Sequence, residues 1–170
     1  MVTMHHIVTD AGTKAILQRE VGALYSAFAR GGASPLPELP VQYADYAAWQ
    51  RRWLSGEVLD KQLSYWKDAL SGAPEALELP GDRPRPPIPS HRSGRFSFIV
   101  PEAVQKGLIA LSRREGTTLF MTVLAAFDLL LSRYSGQDDI VVGSPIFNRS
   151  RPETEGLIGF FLNTLVLRTQ

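Results

Sequence analysis

The sequence of 170 residues contains no cysteine. This absence excludes disulfides, thiolate metal sites, iron–sulfur clusters and a cysteine nucleophile. Histidine is also scarce, with His5, His6 and His91 as the only examples, so we expect no metal centre. The 18 basic and 17 acidic residues nearly cancel, and a near-neutral surface gives no electrostatic reason to expect nucleic acid or an anionic membrane as a partner.

Long apolar runs are missing as well. No stretch reaches the roughly 18 apolar residues that indicate a membrane-spanning helix. The amino-terminal stretch also lacks the charged start and the cleavage site of a signal peptide. An apolar share of 44% and a charged share of 21% are instead typical of a soluble globular protein with one ordinary domain.

Periodic apolar residues predict three helices in the first half of the chain. The first runs from Thr13 to about Arg30, and the stretches VQYADYAAWQRRWL and LDKQLSYWKDAL form the next two. Both later helices are rich in aromatic residues, and rings at helical spacing favour packing over direct stacking on a ligand. The rings concerned are Tyr43, Tyr46, Trp49, Trp53, Tyr65 and Trp66.

A proline-rich stretch, PGDRPRPPIP, divides the chain, because proline fits neither a helix interior nor a central strand. We interpret residues 80–92 as a semi-rigid linker, in which His91 is expected to be solvated. Beyond the linker the pattern predicts two helices, PEAVQKGLIALSRREG and the very apolar LFMTVLAAFDLLLSRYSG. We expect the second of these helices to be buried on most sides.

Cap and turn residues mark where these last two helices begin and end. Pro101 opens the first and Gly116 closes it, while Thr117 or Thr118 caps the second. The strands predicted along the chain are MVTMHHIV, RFSFIV, DDIVVGSPI and FLNTLVLR, with the polar loop NRSRPETEGLIGF before the last. The chain thus begins and ends in a strand, and because strands with unpaired edges are marginal alone, we expect a fragment of a larger fold.

The dipeptide His5-His6, followed by Asp10, is the only cluster that combines a base active at neutral pH with a carboxylate. In a strand the two imidazoles would point to opposite faces, so we expect only one of them to face a cavity. Asp10 lies where the free N–H groups of a helix start favour a carboxylate. From these residues alone, capping and packing are favoured over catalysis, and a shared zinc site is disfavoured further.

Three motifs in order resemble those of condensation domains in nonribosomal peptide synthetases. MHHIVTDAGTKAIL is similar to the MHHxxxDG motif of that family, YADYAAW to its next motif and LIGFFLNTLVLR to the one after. The intervening sequence is similar to the family as well, so the resemblance covers all 170 residues. Within the family, this sequence is more similar to the members that form peptide bonds than to the relatives that epimerise or form esters.

The resemblance implies an α/β fold, namely part of a two-lobed pseudo-dimer similar to chloramphenicol acetyltransferase, with the active site in a tunnel between the lobes. On this basis residues 1–79 form the end of the first lobe and carry the histidine motif. Residues 80–92 form the inter-lobe linker, and residues 93–170 form the start of the second lobe.

The resemblance also implies a reaction and a role for His6, which would face the tunnel. The α-amine of an acceptor attacks a donor acyl thioester, and each substrate is delivered on the phosphopantetheine arm of a carrier domain. An α-amine titrates near about 8 and an imidazole near about 6.5, so proton transfer between them is nearly matched. His6 could act as a base, or could orient the amine and stabilise the tetrahedral intermediate, while the start of the following helix could stabilise an oxyanion.

The sequence departs from the family pattern directly after Asp10. The family has a glycine, a bulky residue and then serine, whereas this chain has Ala11, Gly12 and Thr13. Thr13 keeps the hydroxyl, and Gly12 removes packing surface. If the family glycine adopts a positive φ, Ala11 costs about 1 kcal/mol. The arginine that usually pairs with the aspartate is expected to be missing, which would leave a buried Asp10 uncompensated.

The favoured hypothesis is part of an amide-forming condensation domain in a cytoplasmic assembly-line synthetase. It implies carrier domains upstream and downstream and an adjacent adenylation domain as partners, with no cofactor or metal of its own. Ser144, Asn148 and Asn163 are expected near the tunnel or lobe interface, where packing and backbone hydrogen bonding are their favoured roles. Two alternatives stay open, a non-catalytic remnant or interaction module and a stand-alone acyltransferase using soluble thioesters. We expect the isolated 170 residues to be inactive.

Overall fold

The computed structural model describes residues 2–82, 88 and 93–170. Within them the helices are α1 (Ala11–Phe28), α2 (Tyr43–Trp53), α3 (Gly56–Ala69), α4 (Glu102–Arg114) and α5 (Leu119–Ser135). The strands are β1 (Ile140–Ile146) and β2 (Asn163–Thr169), and short 3-10 turns occupy His6–Val8 and Pro152–Thr154.

Local sequence signals place most of the helix ends. The carboxylate of Asp10 caps α1 by accepting a hydrogen bond of 2.8 Å from the backbone N–H of Thr13. Thr118 caps α5 in the same way, accepting from Met121 at 3.2 Å. Gly116, with a φ of 63°, follows the end of α4, and this left-handed conformation favours glycine. The predicted helices and these caps are therefore confirmed.

Two predicted strands are wrong. Residues 2–5 are irregular and lead into the 3-10 turn that begins at His6, and residues 93–100 form no strand either. Phe96 and Ile99 are 88% and 93% exposed, so no element of the described chain covers these side chains. A strand needs a hydrogen-bonding partner, and in the described part of the chain the sheet consists of β1 and β2 alone.

The two strands that do form pair with each other. Asp139, just before β1, contacts Arg168 near the end of β2, whereas Gly143 in β1 lies opposite Thr164 near the start of β2. This order of contacts is antiparallel. The pairing confirms the strands predicted in DDIVVGSPI and FLNTLVLR.

The expectation that α5 is buried on most sides is also wrong. Asp128 and Leu131 are its buried residues, whereas Phe120, Phe127 and Leu130 are about half exposed. The helix packs on α4, where the hydroxyls of Ser112 and Thr122 lie 2.7 Å apart, and its remaining apolar faces are open. No single described helix is long and apolar enough to cross a membrane. Among the described helices, one pair, α4 and α5, reaches that length and composition when taken together, and this pair is bent by 110° at the break between them.

The chain forms two compact units, residues 1–71 with 143–166 and residues 72–142 with 167–170. The first unit buries Ile16, Leu157 and Phe161 together with the polar residues Thr9, Asp10, Thr13 and Thr154. The second buries Leu131 and Ile140 and contains an ion pair of 2.6 Å between Arg168 and Asp139. The division into lobes around a linker at 80–92 stays a prediction, and most of that linker, with His91, lies outside the described residues.

Candidate functional site

His6 is held in one orientation by a backbone carbonyl. Its Nδ1 lies 2.5 Å from the carbonyl oxygen of Thr9, at the end of the 3-10 turn. Because a carbonyl oxygen only accepts hydrogen bonds, Nδ1 carries the proton and donates it to Thr9. In the neutral imidazole Nε2 is then left with its lone pair, which makes it the proton-accepting atom of this side chain.

His5 has the opposite arrangement. Its Nδ1 accepts a hydrogen bond of 3.1 Å from the backbone N–H of Ile7 and caps the 3-10 turn, so the proton of the neutral ring is on Nε2. His5 and His6 line the same open pocket, which corrects the expectation that they face opposite sides. Successive side chains turn by about 120° in a 3-10 turn, with three residues per turn, rather than alternating as in a strand.

The pocket beside the two histidines is mainly apolar. Its lining consists of His5, His6, Ile7, Pro145, Phe160, Leu162, Asn163 and Thr164. The Phe160 ring stands edge-on to the imidazole of His6, with ring centroids 5.4 Å apart and an interplanar angle of 84°. Asn163 accepts a hydrogen bond of 2.8 Å from the backbone N–H of Thr164 through its carbonyl oxygen. The pocket can thus accept an uncharged group next to one proton acceptor.

Asp10, at the start of α1, forms a buried ion pair that its local sequence does not predict. Arg149 donates from Nη2 to Asp10 Oδ1 at 3.1 Å, and Asp10 is only 1% exposed. Burial alone would raise the pKa of Asp10, but hydrogen bonds from the backbone N–H groups of Thr13 and Phe161, and from Arg149, outweigh it and hold this pKa below its usual value. The expectation of an uncompensated Asp10 is therefore wrong.

Arg149 also forms hydrogen bonds that anchor the loop following β1. From Nη1 it donates to the carbonyl oxygens of Thr154 at 2.6 Å and Leu157 at 2.9 Å, and its guanidinium lies 4.0 Å from the centroid of the Phe161 ring. The separation of 139 residues between Arg149 and Asp10 explains why no local pattern pairs them. The one available signal was the arginine-rich segment NRSRPE.

Thr13 joins α1 to the segment that carries Phe160. Its hydroxyl is fully buried, donates to the carbonyl oxygen of Gly159 at 2.8 Å and accepts from the N–H of Gly159 at 3.1 Å. Gly159 has no room for a side chain, because a Cβ there would overlap the ring of Tyr43. The Tyr43 hydroxyl in turn donates to the carbonyl oxygen of Phe160 at 2.7 Å. Sequence reasoning missed Gly159 and this role of Tyr43.

The two departures after Asp10 are accommodated without strain in the backbone. Ala11 is the first residue of α1, and among the described non-glycine residues only Asn148, at 44°, has a positive φ. The space beside Gly12 is limited, because a Cβ there would lie 3.2 Å from Nε of Arg149 and 3.4 Å from Oδ1 of Asp10. A small residue at position 12 therefore suits the arginine.

The other sequence candidates lie in different places. Asn163 lines the histidine pocket, Ser144 is in β1, and Asn148 borders a separate groove along α2. That groove contains packed rings, as the aromatic pattern predicts: Trp49 and Trp53 stack with centroids 5.4 Å apart. The structure thus brings Asn163, but not Asn148, to the lining of the pocket that contains His6.

A histidine whose Nδ1 is bonded to a backbone carbonyl, at the wall of a mainly apolar pocket, can accept a proton there through Nε2. The Condensation domain family model matches residues 1–170, and the chain belongs to this family. The predicted family and its α/β fold are therefore confirmed.

Individual relatives agree with this assignment. The chain is 56% identical over 99% of its length to one of the linear gramicidin synthase proteins of Brevibacillus parabrevis, of which it spans 3%. It is 49% identical over 99% of its length to phosphinothricin tripeptide synthetase PhsB from Streptomyces viridochromogenes, of which it spans 14%. A solved complex of the X-domain and OxyB from teicoplanin biosynthesis matches 98% of this chain and 38% of that one, with a TM-score of 0.91 and 31% identity.

Proposed function

We propose that this chain supplies the proton-accepting histidine of a condensation domain that forms an amide bond. The domain would join a carrier-bound donor acyl thioester to the α-amine of a carrier-bound acceptor. The observation that carries this proposal is the hydrogen bond from Nδ1 of His6 to Thr9, which leaves the Nε2 lone pair of this pocket-lining residue available. The phosphinothricin relative is by name a tripeptide synthetase, which supports a peptide as the class of product.

In the proposed reaction the acceptor nitrogen attacks the thioester carbonyl carbon, forming the C–N bond. Nε2 of His6 accepts the proton that this nitrogen loses, and the resulting imidazolium keeps its hydrogen bond to Thr9. Collapse of the tetrahedral intermediate breaks the C–S bond, and the departing sulfur of the donor arm takes up the proton. A neutral amide and a free thiol result, so the histidine returns to its starting state.

The proposal extends to the partners and the compartment. Both substrates would arrive on phosphopantetheine arms, which belong to peptidyl carrier domains upstream and downstream, and an adenylation domain would load the acceptor. The pocket is lined by uncharged side chains apart from the two histidines, which suits thioester and amine groups already attached to such arms. We place the synthetase in the cytoplasm, where these arms and their thioesters are made.

The test is amide formation by the complete domain with loaded donor and acceptor carriers, followed by mass spectrometry of the product. His6→Ala should lower the rate by about 100-fold or more, which is the usual contribution of a general base. His5→Asn keeps an acceptor at the start of the 3-10 turn and should lower the rate far less. A His6→Ala variant that is folded and still forms product at the original rate would refute the proposal.

A further inference from the structure

We propose that Phe160 is a positioning residue for His6, and that Asp10 and Thr13 act on the histidine through it. This inference rests on the proposed role of His6 in amide formation. It assigns a function to a residue that touches the imidazole, and it explains what the buried part of the motif contributes to the pocket.

The first step is the contact between the two rings. The hydrogen bond from Nδ1 to Thr9 fixes one atom of the His6 ring but leaves the ring free to tilt about that bond. Phe160 stands edge-on to the imidazole at 5.4 Å, a geometry that aromatic rings favour. With both contacts present, the ring plane is fixed and so is the direction of Nε2.

The second step is the placement of Phe160 itself. Residues 159–161 belong to neither strand nor helix, so no ladder of backbone hydrogen bonds holds them. Side chains hold them instead: Thr13 bonds both the N–H and the carbonyl of Gly159, and Tyr43 bonds the carbonyl of Phe160. Asp10 accepts from the N–H of Phe161 at 3.1 Å.

These bonds make an irregular segment rigid at Phe160, whose ring contacts the imidazole of His6. The hydroxyl of Thr13 and the carboxylate of Asp10 are buried, so their bonds are shielded from competition with water. Phe160 itself is 36% exposed and shares the pocket wall with His6. Its side chain is therefore the link between the buried network and the reactive ring.

A residue that only forms the pocket wall would affect substrate binding, whereas a positioning residue affects the reaction step. The experiment therefore measures kcat and KM for the acceptor in the complete domain, with three variants. Phe160→Leu removes the ring but keeps apolar volume, and Phe160→Tyr keeps the ring. Phe147→Leu is the matched control, since Phe147 lies in the same compact unit and is 59% exposed.

We expect Phe160→Leu to lower kcat by about two- to twelvefold, which is the fold-change that corresponds to an aromatic pair of about 0.5–1.5 kcal/mol. KM for the acceptor should change by less than about twofold, because leucine keeps the pocket wall apolar. Phe160→Tyr should have a kcat close to that of wild type, because it keeps the ring. Phe147→Leu should also leave kcat unchanged. If Phe160→Leu does not fold, Phe160→Met serves in its place.

The inference is overturned if Phe160→Leu leaves kcat unchanged, whether or not KM changes. It is also overturned if a folded Phe160→Tyr domain has a kcat as low as that of Phe160→Leu. An equal loss in Phe147→Leu also overturns it. His6→Ala, measured in parallel, separates the two claims. Retained activity in His6→Ala refutes the proposed function, whereas lost activity there with an unchanged kcat in Phe160→Leu refutes this inference alone.

Discussion

Replacing Thr13 by valine tests whether the network behind the pocket depends on a single hydroxyl. Valine has nearly the shape of threonine, so the substitution leaves no cavity and adds no overlap. It removes the oxygen that donates to the carbonyl of Gly159 at 2.8 Å and accepts from its N–H at 3.1 Å. Because Thr13 is fully buried, water cannot replace either bond.

The expected loss of stability follows from the two groups left without partners. A buried backbone group without a hydrogen bond costs about 1–3 kcal/mol, so the two groups of Gly159 together predict that Thr13→Val lowers the free energy of unfolding by about 2–6 kcal/mol. Thr13→Ser is the control, because it keeps the hydroxyl and loses one methyl, which costs about 1 kcal/mol.

Urea unfolding of the complete domain, followed by circular dichroism, measures both variants. The expected order of stability is wild type, then Thr13→Ser, then Thr13→Val. A Thr13→Val variant as stable as Thr13→Ser would show that the hydroxyl does not hold the Gly159 backbone, and the reasoning would fail.

Three further predictions concern the same network. Arg149→Met should lower the free energy of unfolding by about 3–5 kcal/mol in urea titrations, because it leaves the buried charge of Asp10 without its partner; a loss below about 1 kcal/mol would contradict this. Gly159→Ala should lower it by about 1–3 kcal/mol, since its Cβ overlaps the Tyr43 ring, and adding Tyr43→Leu should recover part of the loss. The pKa of Asp10 is lower in the folded state than in the unfolded state. Its contribution to the free energy of unfolding is therefore present above about pH 4 and is lost as the pH falls through the folded pKa. Unfolding midpoints measured between about pH 5 and pH 2 should fall less steeply in Asp10→Asn than in wild type, and equal slopes would refute the assignment.

The helices and their caps, which the sequence predicts correctly, are determined by short-range interactions. Asp10 and Thr118 cap helices through bonds to residues three positions on, and Gly116 ends a helix through its own backbone conformation. Strand formation at residues 93–100 and the burial of α5 depend instead on distant partners. Nothing within those segments indicates whether such partners are present, which is why both predictions failed.

The same distinction applies to the site. The capping role of Asp10 follows from its position before a helix, but its ion pair requires a residue 139 positions away. The segment NRSRPE offers two arginines, and local sequence does not decide that Arg149 turns inward while Arg151 lies over the ring of Trp49. The shared pocket of His5 and His6 depends on a 3-10 turn, and the apolar, β-branched residues around the two histidines favour a strand instead.

The tautomer of His6 tests the central claim most directly. Nitrogen-15 spectra of the complete domain, with the His6 signals assigned by their loss in His6→Ala, report which ring nitrogen carries the proton in the neutral form. The hydrogen bond to Thr9 predicts protonation at Nδ1, with Nε2 bearing the lone pair that accepts the amine proton. A neutral His6 with its proton on Nε2 would contradict the account, because that atom could then no longer act as the base.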